Sequence, residues 1–272
     1  MVFGHGSTVN EQSSAPVFQH AAELRRQSLF KEVREGFWKQ EPFLKQILQN
    51  ARGPRVFLAP LFISDGYFSE QVIPAELGFR SGNRSDFQRV LKRTGQTLYY
   101  CRAIGSHPSM TRVVLDRARQ ILEQFPFPAM PKMKETTLFI AAHGTEQNSN
   151  SRAAIDLQVE RIRGENIYAE VRAVFLDQEP RLPECYQLCQ TRHMVVVPFF
   201  ISDGMHVRED IPVLLGEPER VVRQRLEKRA GTWRNPTEKQ GKLVWYAQTV
   251  GTDPLVSQVI LERVREAAHL AA

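Results

Sequence analysis

The sequence predicts an α/β protein of two tandem doubly wound units, each a four-stranded parallel sheet flanked by helices, with a cleft between them. Three observations predict it. Segments of the first half recur in the second at a constant offset. Short apolar, β-branched runs alternate with stretches of helical spacing. The recurring polar residues fall just after the expected strands, at the carboxyl ends where ligands of such sheets sit.

The repeat comes first. VREGFWKQEP, from Val33 to Pro42, reads against VRAVFLDQEP, from Val171 to Pro180, with six of ten positions identical at an offset of 138 (171 − 33). The same offset pairs His5-Gly6-Ser7 with His143-Gly144-Thr145, PLFISDG (from Pro60) with PFFISDG (from Pro198), and Ile73-Pro74 with Ile211-Pro212. A later pair, Gly105-Ser106-His107-Pro108 against Gly251-Thr252-Asp253-Pro254, needs an offset of 146 (251 − 105). The second copy therefore carries about eight more residues, and the basic, Gly- and Pro-containing run from Ala230 to Lys242 is their natural place, because surface loops tolerate insertion. The Pro-rich stretch from Phe125 to Pro131 lies between the copies. This gives copies at 1–124 and 136–272, joined by a linker at 125–135.

In the second copy, strands are expected at 138–142, 168–175, 194–201 and 243–250, where apolar and β-branched residues run together. Helices are expected at 153–163, 182–190, 213–228 and 255–268. The first copy follows the same order, with a shorter first strand, since only Met1 to Gly4 precede His5.

With 272 residues and 42% apolar content, the chain can build two ordinary cores. No run approaches the ~18 apolar residues of a membrane span, and no charged-then-apolar leader opens the chain, so a soluble, cytoplasmic protein is expected. Cys101, Cys185 and Cys189 are too few for a disulfide framework and read as reduced thiols. The net charge of +6 implies an affinity for anions. Basic residues gather from Arg80 to Arg93 and from Arg220 to Lys242, without an RNP-like or helix-turn-helix pattern, and solvated helix faces explain them equally well.

The ordered motifs resemble the CbiX/SirB chelatase family, whose units have a first strand ending in His-Gly-Ser/Thr, a third ending in Pro-x-Phe/Leu-x-x-x-Gly-x-His before Ile-Pro, and a late Gly-x-x-Pro. The second copy carries all of them: His143-Gly144-Thr145, Pro198 to His206 with Ile211-Pro212, and Gly251 to Pro254. The resemblance implies insertion of a divalent metal, cobalt or iron, into a tetrapyrrole such as sirohydrochlorin, within cobalamin or siroheme biosynthesis. It implies no bound prosthetic group and no nucleotide, the metal being a substrate. His143 and His206 then serve as metal ligands, proton acceptors or both, since a neutral imidazole does either. Taken singly, His143 reads rather as a capping or backbone-bonded histidine and His206 as an exposed loop histidine; it is the pair, both at strand carboxyl ends, that points to chemistry. Ser202, Asp203, Glu209 and Asp210 are polar neighbours of His206, and of these Glu209 is the leading candidate to orient an imidazole or pass on a proton, although a solvated acid near the helix start is its plainer reading.

The first copy departs where chemistry is needed. His5 aligns with His143, but Phe68 stands at the position of His206, with Glu70 and Gln71 at those of Arg208 and Glu209. Phenylalanine neither ligates nor accepts a proton. The first copy is therefore expected to be a degenerate partner forming the other wall of the cleft, with His5 either facing the macrocycle or structural. Tyr67 and Phe68 could stack on a macrocycle or fill an interface. Arg80, Arg84, Arg208 and the run from Arg220 to Lys242 could meet its carboxylates. The duplication would let a monomer form what single-unit relatives build as dimers. Other readings are a non-catalytic metal or tetrapyrrole carrier of the same fold, a ferrochelatase-like enzyme acting on protoporphyrin, and a flavodoxin-like nucleotide module. The last lacks a Gly-rich phosphate loop. Neither nucleic acid nor membrane is expected as a partner.

Overall fold

The computed structural model describes residues 1–8, 11–80, 87–144 and 149–270. Thr145 and Arg84 lie outside the described residues.

The first sheet contains β1 (Val2–Gly4), β2 (Glu35–Phe37), β3 (Arg55–Pro60), β4 (Val90–Arg93) and β5 (Gln96–Tyr100), in the order β2-β1-β3-β5-β4. The second contains β6 (Thr136–Ala142), β7 (Glu170–Phe175), β8 (His193–Pro198), β9 (Thr237–Lys239) and β10 (Lys242–Tyr246), in the equivalent order β7-β6-β8-β10-β9. Four strands of each sheet are parallel, as the apolar runs require, and every residue of the central strand β6 is buried. The fifth is a correction to the expected four: β4 and β9 pair antiparallel with β5 and β10 as short edge strands. Their residues, Val-Leu-Lys-Arg and Thr-Glu-Lys, carry the charge that blunts a sheet edge and hides a strand in the sequence. The run from Ala230 to Lys242, read as an inserted loop, contains β9.

The helices are α1 (Ala15–Arg26), α2 (Leu44–Gln49), α3 (Ile73–Glu76), α4 (Met110–Gln124), α5 (Ser149–Glu165), α6 (Cys185–Leu188), α7 (Ile211–Leu214), α8 (Glu219–Glu227) and α9 (Val256–His269). The single helix expected over 213–228 is instead divided between α7 and α8, because Pro218 caps the second in an extended conformation and disfavours helix at the residue before it.

Packing divides the chain into one unit of Met1–Met110 with Pro254–Ala272 and another of Thr111–Asp253. These units cut across the repeat boundaries: α9, from the second copy, belongs to the first unit, and α4, from the first copy, belongs to the second. In the first unit, buried Arg263 of α9 donates from Nε to the Ala103 carbonyl at 2.9 Å and from Nη2 to Ser106 Oγ at 2.8 Å. In the second, buried Arg117 of α4 makes the equivalent bonds to the Thr249 carbonyl and Thr252 Oγ1, both 2.9 Å, and pairs with Asp253. A buried guanidinium left without such partners would be costly.

The repeated Ser-Asp-Gly and late glycine motifs are thereby explained as structure. Asp65 accepts from the Ala103 N–H at 2.9 Å and from Ser106 Oγ at 2.8 Å, and Asp203 accepts from the Thr249 N–H at 3.4 Å. A Cβ on Gly105 would lie 1.7 Å from the Ile63 carbonyl oxygen, and one on Gly251 would lie 2.0 Å from that of Ile201. Only glycine permits the loop after the last parallel strand to lie against the loop that follows the third.

Candidate metal-handling site

The second unit brings His143 and His206 together. His143 directly follows β6, and Gly144, at φ +73°, turns the chain away so that the imidazole stands at the sheet's carboxyl edge. His206 opens a π-helical turn, His206–Asp210, that follows β8 and runs into α7. Such turns are frequent at functional sites because they re-aim side chains. The two rings meet edge to face with centroids 4.7 Å apart and an interplanar angle of 79°.

Each ring is held by its Nδ1. His143 Nδ1–H donates to the Gly144 carbonyl at 3.0 Å, with the Asp177 carboxylate an ion-pair distance of 3.0 Å from the same nitrogen, and His206 Nδ1–H donates to Asp210 Oδ2 at 2.6 Å. A carbonyl only accepts, so the proton of neutral His143 resides on Nδ1, and the carboxylate assigns the same tautomer to His206. Both Nε2 atoms therefore keep a lone pair for a metal or a proton. Both side chains are 49% exposed, which leaves them accessible. Asp177 is fixed in turn, since its backbone N–H donates to the His143 carbonyl at 3.0 Å.

A cavity of about 330 Å³ opens on the pair, lined also by Asp177, Glu209, Asp210 and Glu219, with Leu176, Val213 and Leu214 as its apolar side. Four carboxylates around two imidazoles make it attractive to a divalent cation and costly for bare anions. Among the described residues no group of three or more His, Cys, Asp or Glu is arranged to hold a metal. The donors this cavity offers are the imidazole pair, with the carboxylates of Asp177 and Asp210 beside the rings. All three thiols are buried, and burial pushes those of Cys101 and Cys185 up to about 12, which disfavours the thiolate that metal ligation needs.

Of the polar neighbours expected around His206, Asp210 is the one on its ring. Glu209 lies in the cavity wall, 18% exposed, with Arg223 Nε 3.5 Å from its carboxylate. Asp203 bonds the Thr249 N–H, and burial raises its pKa. Ser202 sits in the bend before the π-helical turn. Much of the basic run from Arg220 to Lys242 is neutralised locally: Arg223 pairs with Glu219 at 2.5 Å, Arg225 with Glu217 at 2.9 Å and Lys239 with Glu217 at 3.3 Å. Asp177 was not singled out from the sequence. Its signal is the repeat itself, because the aligned residue in the first copy is Lys39, a reversal of charge within an otherwise similar segment.

The first unit repeats the scaffold without the donors. His5 Nδ1–H donates to the Gly6 carbonyl at 2.8 Å, as His143 does to Gly144. The π-helical turn persists at Phe68–Val72. Phe68 replaces His206, Val72 replaces Asp210 and Lys39 replaces Asp177. The neighbours of His5 are rings, Trp38 at 5.2 Å and Phe68 at 5.0 Å. Tyr67 is exposed, as is Met205 at the equivalent position. His107, given no role above, is buried between Glu262 and Glu266 of α9. No helix among the described residues is long and apolar enough to cross a membrane.

Comparison with known proteins agrees with the duplication. The family profile described as CbiX matches residues 1–121 and again 137–267. A protein of Halobacterium salinarum named a probable sirohydrochlorin cobaltochelatase is 36% identical over 277 residues, covering 98% of this chain and 90% of that one. A multi-domain Deinococcus radiodurans protein, described as structurally similar to chelatases with two additional novel domains, superposes with a TM-score of 0.77 at 26% identity, over 98% of this chain and 54% of that one. SirB from Bacillus subtilis, solved with Fe3+, superposes with a TM-score of 0.68 at 19% identity, over 99% of this chain and 95% of that one, a likeness of fold.

Proposed function

The chain belongs to the CbiX family of metal chelatases, and on that premise we propose that it inserts a divalent metal, Co2+ or Fe2+, into sirohydrochlorin, with His143 and His206 as the working residues. One observation carries the assignment: two imidazoles 4.7 Å apart, each with Nδ1 committed to a fixed acceptor and Nε2 left open.

Insertion exchanges two pyrrole N–H protons for one dication. A pair of imidazoles offers few enough donors to hold the metal while leaving coordination positions for the macrocycle nitrogens. As the metal passes to those nitrogens, the freed Nε2 atoms are placed to take the departing protons. The Gly144 carbonyl and Asp210 fix the tautomers, and Asp177 and Asp210 stabilise each ring when it becomes an imidazolium. The exposed carboxylates of Asp177 and Asp210 raise the local concentration of the cation at the cavity, Glu209 and Glu219 being shared with Arg223. That a monomer suffices belongs to this proposal too.

The test is single-turnover absorbance spectroscopy with sirohydrochlorin and either Co2+ or Fe2+. Conversion to the metallated spectrum supports insertion. Binding of both substrates without conversion favours the carrier reading.

A further inference from the structure

The first unit retains the histidine turn but has exchanged everything around it, and the exchange runs in one chemical direction. The second donor has become Phe68, both carboxylates have become Lys39 and Val72, and Trp38 stands at the position of Leu176. At the aligned positions a bare dication finds one imidazole, no counterpart of Asp177 or Asp210, and a cation. A metal already inside a macrocycle has different needs. Its charge is neutralised by the pyrrole nitrogens, its plane is large and apolar, its rim carries carboxylates, and it lacks only an axial donor. His5, Trp38, Phe68 and Lys39 match those needs.

We propose that the first unit is a second binding site, one for the metallated tetrapyrrole, in which His5 Nε2 is the axial ligand of the inserted metal. This rests on the insertion reading above for the identity of the macrocycle. His5 Nδ1–H is committed to the Gly6 carbonyl at 2.8 Å, so the neutral ring presents an unprotonated Nε2, as an axial ligand must. Trp38 and Phe68 flank it, their centroids 5.0 Å from each other, and both are only half-buried. Trp38 Nε1–H donates to both carboxylate oxygens of Glu76, at 3.0 and 3.1 Å, which fixes the indole. With Tyr67 exposed beside them, they form an aromatic surface suited to the face of a conjugated ring. Lys39 Nζ lies over the Trp38 ring, 4.8 Å from its centroid, which puts a positive charge on this exposed side chain within reach of substituent carboxylates. Binding forms one metal–nitrogen bond, in place of a water, with no change of oxidation state.

The probe is sirohydrochlorin already carrying Co2+, added to the full chain in the His143→Ala/His206→Ala background so that the second unit's facing histidine pair is absent. Paramagnetic resonance then reads the nitrogen splitting that one axial imidazole imposes on low-spin Co2+. The splitting is expected in this double variant and is expected to vanish when His5→Ala is added, with affinity weakened by about tenfold or more. His5→Phe, which keeps an aromatic side chain among Trp38 and Phe68, guards against loss of fold and is expected to lose the splitting as well. Splitting that survives removal of His5, or that is absent while His5 is intact, overturns the proposal. If the wild-type chain fails to metallate sirohydrochlorin yet shows His5-dependent splitting with the metallated probe, the insertion reading falls and this site stands.

Discussion

His143 and His206 face each other at 4.7 Å, and the carboxylates behind them, Asp177 and Asp210, come from different elements: one follows β7, the other ends the π-helical turn. The site is therefore a four-residue unit. On the proposed reading the two outer members act through the inner two, by holding each ring and raising its basicity.

It follows that Asp177→Asn and Asp210→Asn each lower Co2+ affinity and the insertion rate by about 10- to 100-fold with little change in melting temperature. Calorimetric Co2+ titration alongside single-turnover spectroscopy checks this. Glu209→Gln, which touches neither ring, should cost less than either.

The first copy shows what the scaffold does without its acids. In a His143→Ala/His206→Ala background, Phe68→His alone is expected not to restore Co2+ binding, because Lys39 and Val72 stand where carboxylates are needed. Adding Lys39→Asp and Val72→Asp is expected to restore it. Recovery by Phe68→His alone, measured by the same titration, would mean that two imidazoles suffice.

How far the sequence led depended on how directly each feature is written in it. The parallel strands were legible because burial on both faces demands continuous apolar runs such as Leu138 to Ala142. The edge strand β9 was not, since Thr-Glu-Lys carries no apolar signal. The histidine pair was legible through the repeat, but Asp177 was not, because its role depends on β7 ending beside β6, which is a fact of pairing rather than of spacing. The exchange of α4 and α9 was equally hidden: a helix's apolar face does not record which sheet it covers.

Gly251→Ala and Gly105→Ala are expected to destabilise the fold, since each Cβ would meet a carbonyl oxygen at about bonding distance and the backbone must move. A loss of about 2 to 4 kcal/mol is expected in urea unfolding. Gly164→Ala, whose Cβ meets nothing within 4 Å, serves as the neutral control.

His107 makes stability depend on pH. Burial, and after it the Arg263 charge, hold its pKa below the ordinary 6.5, against the opposing pull of Glu262 and Glu266. The Ser109 N–H donating to its Nδ1 at 3.0 Å likewise requires the neutral ring. The unfolded chain thus binds this proton more readily than the folded one. The contribution is present above about pH 6.5 and is lost as pH falls through the lowered value. Urea unfolding between about pH 7.5 and 5 should show the decline, and His107→Gln should flatten it. Equal slopes for both proteins would assign the decline elsewhere.

The central claim is that metal insertion belongs to the histidine pair of the second unit. First-turnover rates of Co2+ insertion into sirohydrochlorin test it most directly, measured on His143→Ala, His206→Ala and His5→Ala proteins of unchanged melting behaviour. His143→Ala and His206→Ala are each expected to slow insertion by about one to three orders of magnitude, and His5→Ala by far less. A His5→Ala protein as slow as His143→Ala would contradict the claim.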